Sequence, residues 1–272
     1  MSHMIKISHP ASFLLVFLFL NGCSQMGSQL TSVNMYSTRE ELELGYRYSS
    51  QLEKQLSIND DLVLNTYINN LGQRLVRSSK RKNIPYTFKV VNDKAVNAFA
   101  IPGGYCYVNT GLINLAESEA ELASVIGHEI GHVVGEHGME NMTKQKIIGF
   151  AGALLLGGNP SFTEEIISGL IQRGVLTNFG RAAELEADRL GIEQMHDAGI
   201  DPVGFELFFE KMLKEQKGGK SKFSSILSTH PPTTLRIERS SKLIAQLPNK
   251  EYDTENDKFL KMKKHLQSLS KD

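Results

Sequence analysis

The chain has little cysteine, no excess of charge and no long apolar run, and each shortage excludes something. Two cysteines, Cys23 and Cys106, stand in 272 residues, too few for a disulfide-stapled scaffold. Lysine plus arginine and aspartate plus glutamate are equal at 30 each. A nucleic-acid binder would show a basic excess, so nucleic acid is not an expected partner. No segment reaches the about 20 apolar residues that a membrane-spanning helix needs. The nearest, IIGFAGALLLGG from Ile147 to Gly158, is short and rich in glycine. It reads first as a core helix and second as a mobile flap near a site. Internal repeats and long low-complexity segments are also missing. What remains, at 40% hydrophobic residues, suits one sizeable domain, with or without appendages.

The N-terminus is more specific. Lys6 precedes the apolar run FLLVFLFL (Phe13 to Leu20), and a break follows at Asn21-Gly22-Cys23. That order reads as a secretory signal, with a buried hydrophobic helix as the plainer alternative. Leu20-Asn21-Gly22-Cys23 resembles a bacterial lipobox. The resemblance implies a signal peptide over residues 1–22 and a lipidated Cys23 that anchors the mature chain to a membrane. Several acyl chains on one residue exceed the two lipid signals that stable anchoring takes. By the sorting pattern of Gram-negative lipoproteins, Ser24 in place of aspartate favours the periplasmic face of the outer membrane. Cys106 is then left without a partner and reads as a small apolar strand residue.

Residues 23–37 are polar and read as a tether. Thr38-Arg39-Glu40-Glu41 looks like a capped helix start, with helical spacing to about Leu56 and a second helix over Leu62 to Val76. Residues 84–91 (IPYTFKVV) read as a strand. Asn97 to Ile113 follows as two short β-prone runs around Pro102-Gly103-Gly104, which suggests a hairpin. From Glu117 the pattern is helical: about 117–136, 140–156, 162–173, 181–198, 203–216 and 233–246, then a lysine-rich helical tail after Asp253. The expected class is α+β, mainly helical with a small sheet. The main domain covers 38–247 and a charged C-terminal tail covers 248–272.

The chemistry concentrates in HEIGHVVGEHG, residues 128 to 138. His128 and His132 are four apart in a predicted helix, so both imidazoles share one face with Glu129 beside them. Two neutral imidazoles suit zinc, and a zinc-acidified water would give its proton to Glu129 as general base. The apolar flanks argue against two surface histidines, because buried polar groups need a reason. His137 is the third histidine. In a continuing helix it lies about 180° from His128, which predicts a solvent-side residue near the helix end. It also stands one place too early for the HExxHxxGxxH pattern of metzincins. A third ligand should come from RAAELEADRLG (Arg181 to Gly191), where Glu184 and Asp188 share a face. Glu184 could bind metal while Asp188 orients a ligand histidine. An exposed charged face is the alternative at this stage. Glu186, about 200° from Glu184, should face elsewhere.

HEIGH, then ELEADRLG, then STHPPTTLR together resemble the gluzincin family of HtpX-type and CAAX prenyl protease-like metallopeptidases, and more narrowly its periplasmic lipoprotein branch. The resemblance covers roughly residues 40 to 247. It implies a zincin-like domain with one zinc ion held by His128, His132 and Glu184, Glu129 as base and Asp188 in support. It implies that Asn97-Ala98-Phe99 lies on an edge strand bordering the cleft, where an extended polypeptide could add as a further strand. It also places His230 and Arg236 in the cleft. His230 could donate to the oxyanion of the tetrahedral intermediate or cap the zinc in a resting state, with Arg236 supporting either. The expected function is a zinc endopeptidase of the bacterial cell envelope acting on unfolded or misassembled proteins. The alternative is a lipid-anchored, chaperone-like binding module with latent protease activity.

Overall fold

The structure, a computed structural model, describes residues 34–156, 179–216, 223–253 and 256–269. Two helices come first, α1 (Thr38–Leu52) and α2 (Leu62–Arg77). Ser37 opens α1 with a full capping box: its side chain accepts from the Glu40 N–H, and Glu40 reaches back to the Ser37 N–H. Asp61 caps α2 through the Leu64 N–H at 2.9 Å. Strands β1 (Thr87–Val91), β2 (Ala98–Ile101) and β3 (Tyr105–Asn109) follow. The predicted first strand is shorter than read, and Thr87 is its first paired residue. Pro85 has no N–H to contribute to a ladder.

The expected hairpin is present, with β2 antiparallel to β3. Gly103 (φ 81°) and Gly104 (φ 83°) take the left-handed backbone that its turn requires. The sheet order is β1-β3-β2, and β1 runs parallel to β3. Within this sheet β2 is therefore an edge. After Asn109 the apolar run was read as strand, yet it turns into a short helix, α3 (Thr110–Leu115). Leu112 and Ile113 go fully into the core. A short apolar run cannot by its period tell strand from buried helix.

Seven described helices follow: α4 (Glu119–Val134), α5 (His137–Leu156), α6 (Arg181–Asp197), α7 (Val203–Gln216), α8 (Ser224–Thr229), α9 (Thr234–Gln246) and α10 (Asp257–Leu269). α8 was not foreseen, and the helix expected over 162–173 lies outside the described residues. Ser118 caps α4 by accepting from the Glu121 N–H. α4 is buried without interruption from Glu121 to Val133, so Glu121, His128, Glu129 and His132 are buried with its apolar residues and need partners. It runs through the centre of the molecule. One core joins the sheet (Phe88, Val90, Val108) to α2, α4, α6 and α7, and takes in Phe259, Met262 and Leu266 of α10. Cys106 is a free, buried strand residue, the small apolar role that its sequence context predicts. Ile148, at the start of the glycine-rich apolar run, is 63% exposed. Among the described residues no helix is long and apolar enough to cross a membrane.

Candidate metal centre

Two glycines let the two motif helices meet. A Cβ on Gly131 would lie 2.6 Å from the Ala187 carbonyl oxygen and 2.9 Å from its Cα. One turn earlier, Gly127 faces Gly191, where a Cβ would lie 2.9 Å from the Gly127 carbonyl carbon. α4 and α6 therefore touch backbone to backbone, and His128, His132, Glu184 and Asp188 stand beside that seam. The i,i+4 spacing set each pair on one face. The small residues bring the two faces together.

Four buried donors converge: His128, His132, Glu184 and His230. Nε2 of His132 lies 3.0 Å from Nε2 of His128, which lies 3.2 Å from Nδ1 of His230. Oε1 of Glu184 is 3.0 Å from His230 Nδ1 and 3.4 Å from His132 Nε2. Its Oε2 is 3.5 Å from His128 Nε2. Donors placed around one tetrahedral zinc at 2.0–2.1 Å would be about 3.3–3.4 Å apart. The donor chemistry fits as well. Asp188 Oδ1 lies 2.9 Å from Nδ1 of His128, in a contact bent from hydrogen-bond geometry, so the proton belongs on Nδ1. The Nε2 lone pair then points into the cluster, against another imidazole nitrogen, which is unfavourable unless a cation sits between them. Among the described residues, Glu129, Glu184 and Asp188 face one guanidinium, Arg236, and a divalent cation would neutralise the two remaining negative charges.

The same excess of negative charge governs the acidities. Burial alone would lower His128, but Asp188 and Glu184 outweigh it and push it up to about 9. A bound cation would take the place of that proton. Burial holds His132 well below its ordinary value, with His128 adding to the effect. Glu184 is buried, which would raise it, yet contacts from His128, His132 and His230 hold it far below the carboxylate range. Burial raises Glu129 against the pull of His230 and His128.

Arg236 closes the site from α9. Its Nε and Nη2 donate to the two oxygens of Asp188, each at 2.7 Å, in the bidentate geometry that suits guanidinium and carboxylate. Its Nη1 donates to the Pro231 carbonyl at 3.1 Å and lies 2.7 Å from Glu184 Oε2. One side chain thus ties both carboxylates of α6 to the turn that carries His230. The guanidinium also stands 5.1 Å from the centroid of the Phe209 ring.

Glu129 is held from the sheet. The Ala100 N–H donates to Glu129 Oε2 at 3.1 Å, and Oε1 stands 3.4 Å from His230 Nε2. Asn109 N–H bonds the Asn97 carbonyl at 3.1 Å. By the alternation of antiparallel pairs, Ala98 and Ala100 then turn their backbone groups away from β3. The edge is thus partly committed, because Ala100 spends its N–H on Glu129. Phe99 stacks on Tyr107 across the strands at 5.0 Å. Asn97 Oδ1 is buried and has no hydrogen-bond partner among the described residues. Ala100 carried no sequence signal, since a backbone N–H can come from any residue but proline.

His137 corrects the sequence reading. It is 3% exposed and faces inward. α4 stops at Val134, and Glu136 takes a left-handed φ of 57°, which is uncommon for a residue with a side chain. Arg81 stabilises this reversal, donating to the Val133 carbonyl at 2.9 Å and pairing with Glu136 at 3.1 Å. The new helix α5 starts at His137 itself, so the continuous-helix rotation no longer applies. His137 Nδ1 lies 2.8 Å from His132 Nδ1, and its Nε2 lies 3.5 Å from Glu186 Oε2. Gly135 makes the room, because a Cβ there would be 2.5 Å from the His137 ring. Phe179, which sequence reasoning also missed, stacks on His132 at 4.0 Å. Cys23 lies outside the described residues.

Comparison with known proteins agrees with this geometry. Residues 63–244 match Peptidase family M48. The chain is 33% identical over 210 residues to the beta-barrel assembly-enhancing protease of Escherichia coli, covering 74% of this chain and 43% of that protein. It is 32% identical over 238 residues to the protein of that name in Yersinia pestis, covering 84% and 49%. The mitochondrial metalloendopeptidase OMA1 of Arabidopsis thaliana is 37% identical over 169 residues, covering 62% and 33%. The chain thus spans less than half the length of these relatives. The expected kinship with HtpX-type and CAAX prenyl protease-like enzymes was the coarser statement of this relationship. With a match that spans most of the chain and includes both motif helices, the chain belongs to Peptidase family M48.

Proposed function

We propose that this chain is a zinc endopeptidase of the bacterial cell envelope that hydrolyses peptide bonds in unfolded or misassembled proteins. The observation that carries the chemistry is the convergence of His128, His132 and Glu184 beside a buried Glu129. A zinc ion held there supplies Lewis-acid polarisation of the scissile carbonyl and an acidified water. Glu129 accepts the proton of the attacking water and returns it to the leaving amine. The Ala100 N–H keeps that carboxylate in place. Asp188 fixes the tautomer of His128, and Arg236 holds Asp188. An extended substrate adds to β2 beside Asn97-Ala98-Phe99, bound through its backbone, so sequence preference is broad.

His230 stands inside the donor cluster. This supports the resting, capped arrangement over the oxyanion-donor role, and substrate entry then requires His230 to swing out. Metal-free protein, stripped with a chelator, should lose casein cleavage and regain it with one equivalent of zinc. Cleavage that persists at the same rate without metal would refute the reading. A chaperone-like module would instead bind casein with and without zinc and cut in neither case.

The envelope location rests on the signal-like N-terminus and on relatives named for beta-barrel assembly. Cys23 is the proposed lipid anchor, with Ser24 directing the chain to the periplasmic face of the outer membrane. Labelled palmitate should enter the wild-type chain and be absent from Cys23→Ser. Equal labelling of both would remove the anchor.

A further inference from the structure

His137 faces two polar partners from a buried position, and nothing in the proposed chemistry uses it. We propose that His137 is a positioning residue that sets the tautomer and orientation of His132. It accepts the His132 Nδ1–H on its own Nδ1 and directs its Nε2–H toward Glu186. The inference rests on the zinc reading of the cluster.

The geometry allows one consistent assignment of protons. His132 must present an unprotonated Nε2 to a metal, so its proton sits on Nδ1. That nitrogen has His137 Nδ1 at 2.8 Å, which must then be the acceptor. A neutral imidazole accepting on Nδ1 carries its proton on Nε2, and His137 Nε2 has the Glu186 carboxylate at 3.5 Å. The chain of contacts therefore runs from a half-exposed carboxylate through two buried rings to the cluster. His132 is also held across its face by Phe179, with the rings 20° from parallel. The edge contact with His137 limits rotation of the ring in its plane, which stacking alone does not.

The two ligand histidines are thus fixed by different chemistry. His128 has the charged carboxylate of Asp188 behind it, and His132 has a neutral ring. Without His137, the His132 Nδ1–H would be buried without an acceptor. The Nε2–H tautomer would gain weight, and that tautomer cannot offer Nε2, the nitrogen inside the cluster, to a metal. A histidine that only filled space would not need an acceptor nitrogen aimed at His132. The local backbone points the same way. Gly135 leaves open the volume that the His137 ring occupies, and the reversal at Glu136 turns that ring back toward the site.

The test uses the full chain and compares wild type, His137→Leu, His137→Asn and Gly135→Ala. Zinc affinity is read by competition with a chromogenic chelator, and ligand geometry by the visible spectrum of the cobalt-substituted protein. His137→Leu should weaken zinc binding by about 10–100-fold, as losing a partner behind a ligand histidine does, and alter the cobalt spectrum. The melting point of the metal-free protein should move little. His137→Asn should recover most of the affinity, because its side-chain oxygen reaches the place of Nδ1. Gly135→Ala keeps the imidazole but displaces the ring, and should follow His137→Leu. If His137→Leu does not fold, Gly135→Ala decides by the same readouts. Wild-type affinity in His137→Leu or Gly135→Ala would overturn the inference, as would His137→Asn binding as weakly as His137→Leu. A wild-type chain that binds no zinc would overturn the metal reading first and this inference with it.

Discussion

Glu129→Gln should stay folded and zinc-loaded while kcat/KM for casein-derived peptides falls by about 10²–10⁴-fold, the usual contribution of a positioned general base. The amide keeps the shape and can still accept from the Ala100 N–H, so β2 and α4 should stay in register. It cannot take a proton from water. The loss should fall on kcat more than on KM, because the recognition we propose on β2 runs through backbone groups that the substitution leaves in place. Peptide turnover within about threefold of wild type at equal zinc content would contradict the base assignment, since even the weakest general-base contributions exceed that.

Arg236→Met should cost about 3–5 kcal/mol of stability, the range for removing one partner of a buried ion pair. Arg236 is buried and answers two carboxylates at once. Methionine can fill part of the space against Phe209, but Asp188 and Glu184 would stay buried with less compensation. The urea midpoint of the zinc-loaded protein measures this, and a loss under about 1 kcal/mol would refute it, since that is the scale of an exposed pair. The pH dependence should change with it. Burial would raise Asp188, yet Arg236 and His128 hold it below its ordinary 3.8. A carboxylate so depressed stabilises the fold above its unfolded value and loses that contribution as pH falls through its folded value. Wild type should therefore lose stability below about pH 4. Arg236→Met should lose less over that interval, because its Asp188 starts higher.

Some of the site could be read from spacing alone. His128 with His132, and Glu184 with Asp188, are local facts of a 3.6-residue turn, and they hold in any well-formed helix. The capped start of α1 and the Pro-Gly-Gly hairpin were legible for similar reasons, since caps and tight turns demand particular residue types. His137 was misjudged because the rotation rule assumes an unbroken helix. The break depends on Glu136 adopting a backbone that glutamate rarely takes, held there by Arg81 from a distant segment. α3 was misjudged because its short apolar run fits a buried helix as well as a strand.

The sequence by itself determined the candidate donor types, the carboxylate we propose as base and the two helical faces that present them, because those depend only on neighbours three or four residues away. Tertiary structure decided the rest. It seated Glu184 among the donors with Asp188 behind His128, brought His230 in from its Pro-Pro turn, committed the Ala100 N–H to Glu129 and placed His137 behind His132. The first three join segments distant in sequence, and the last joins residues five apart across a helix break that the distant Arg81 holds. Each depends on α4 and α6 touching at Gly131 and Ala187, on β2 lying against α4, on the reversal at Glu136, or on Arg236 reaching across from α9. Such contacts are set by the packing of whole elements, which no local pattern encodes.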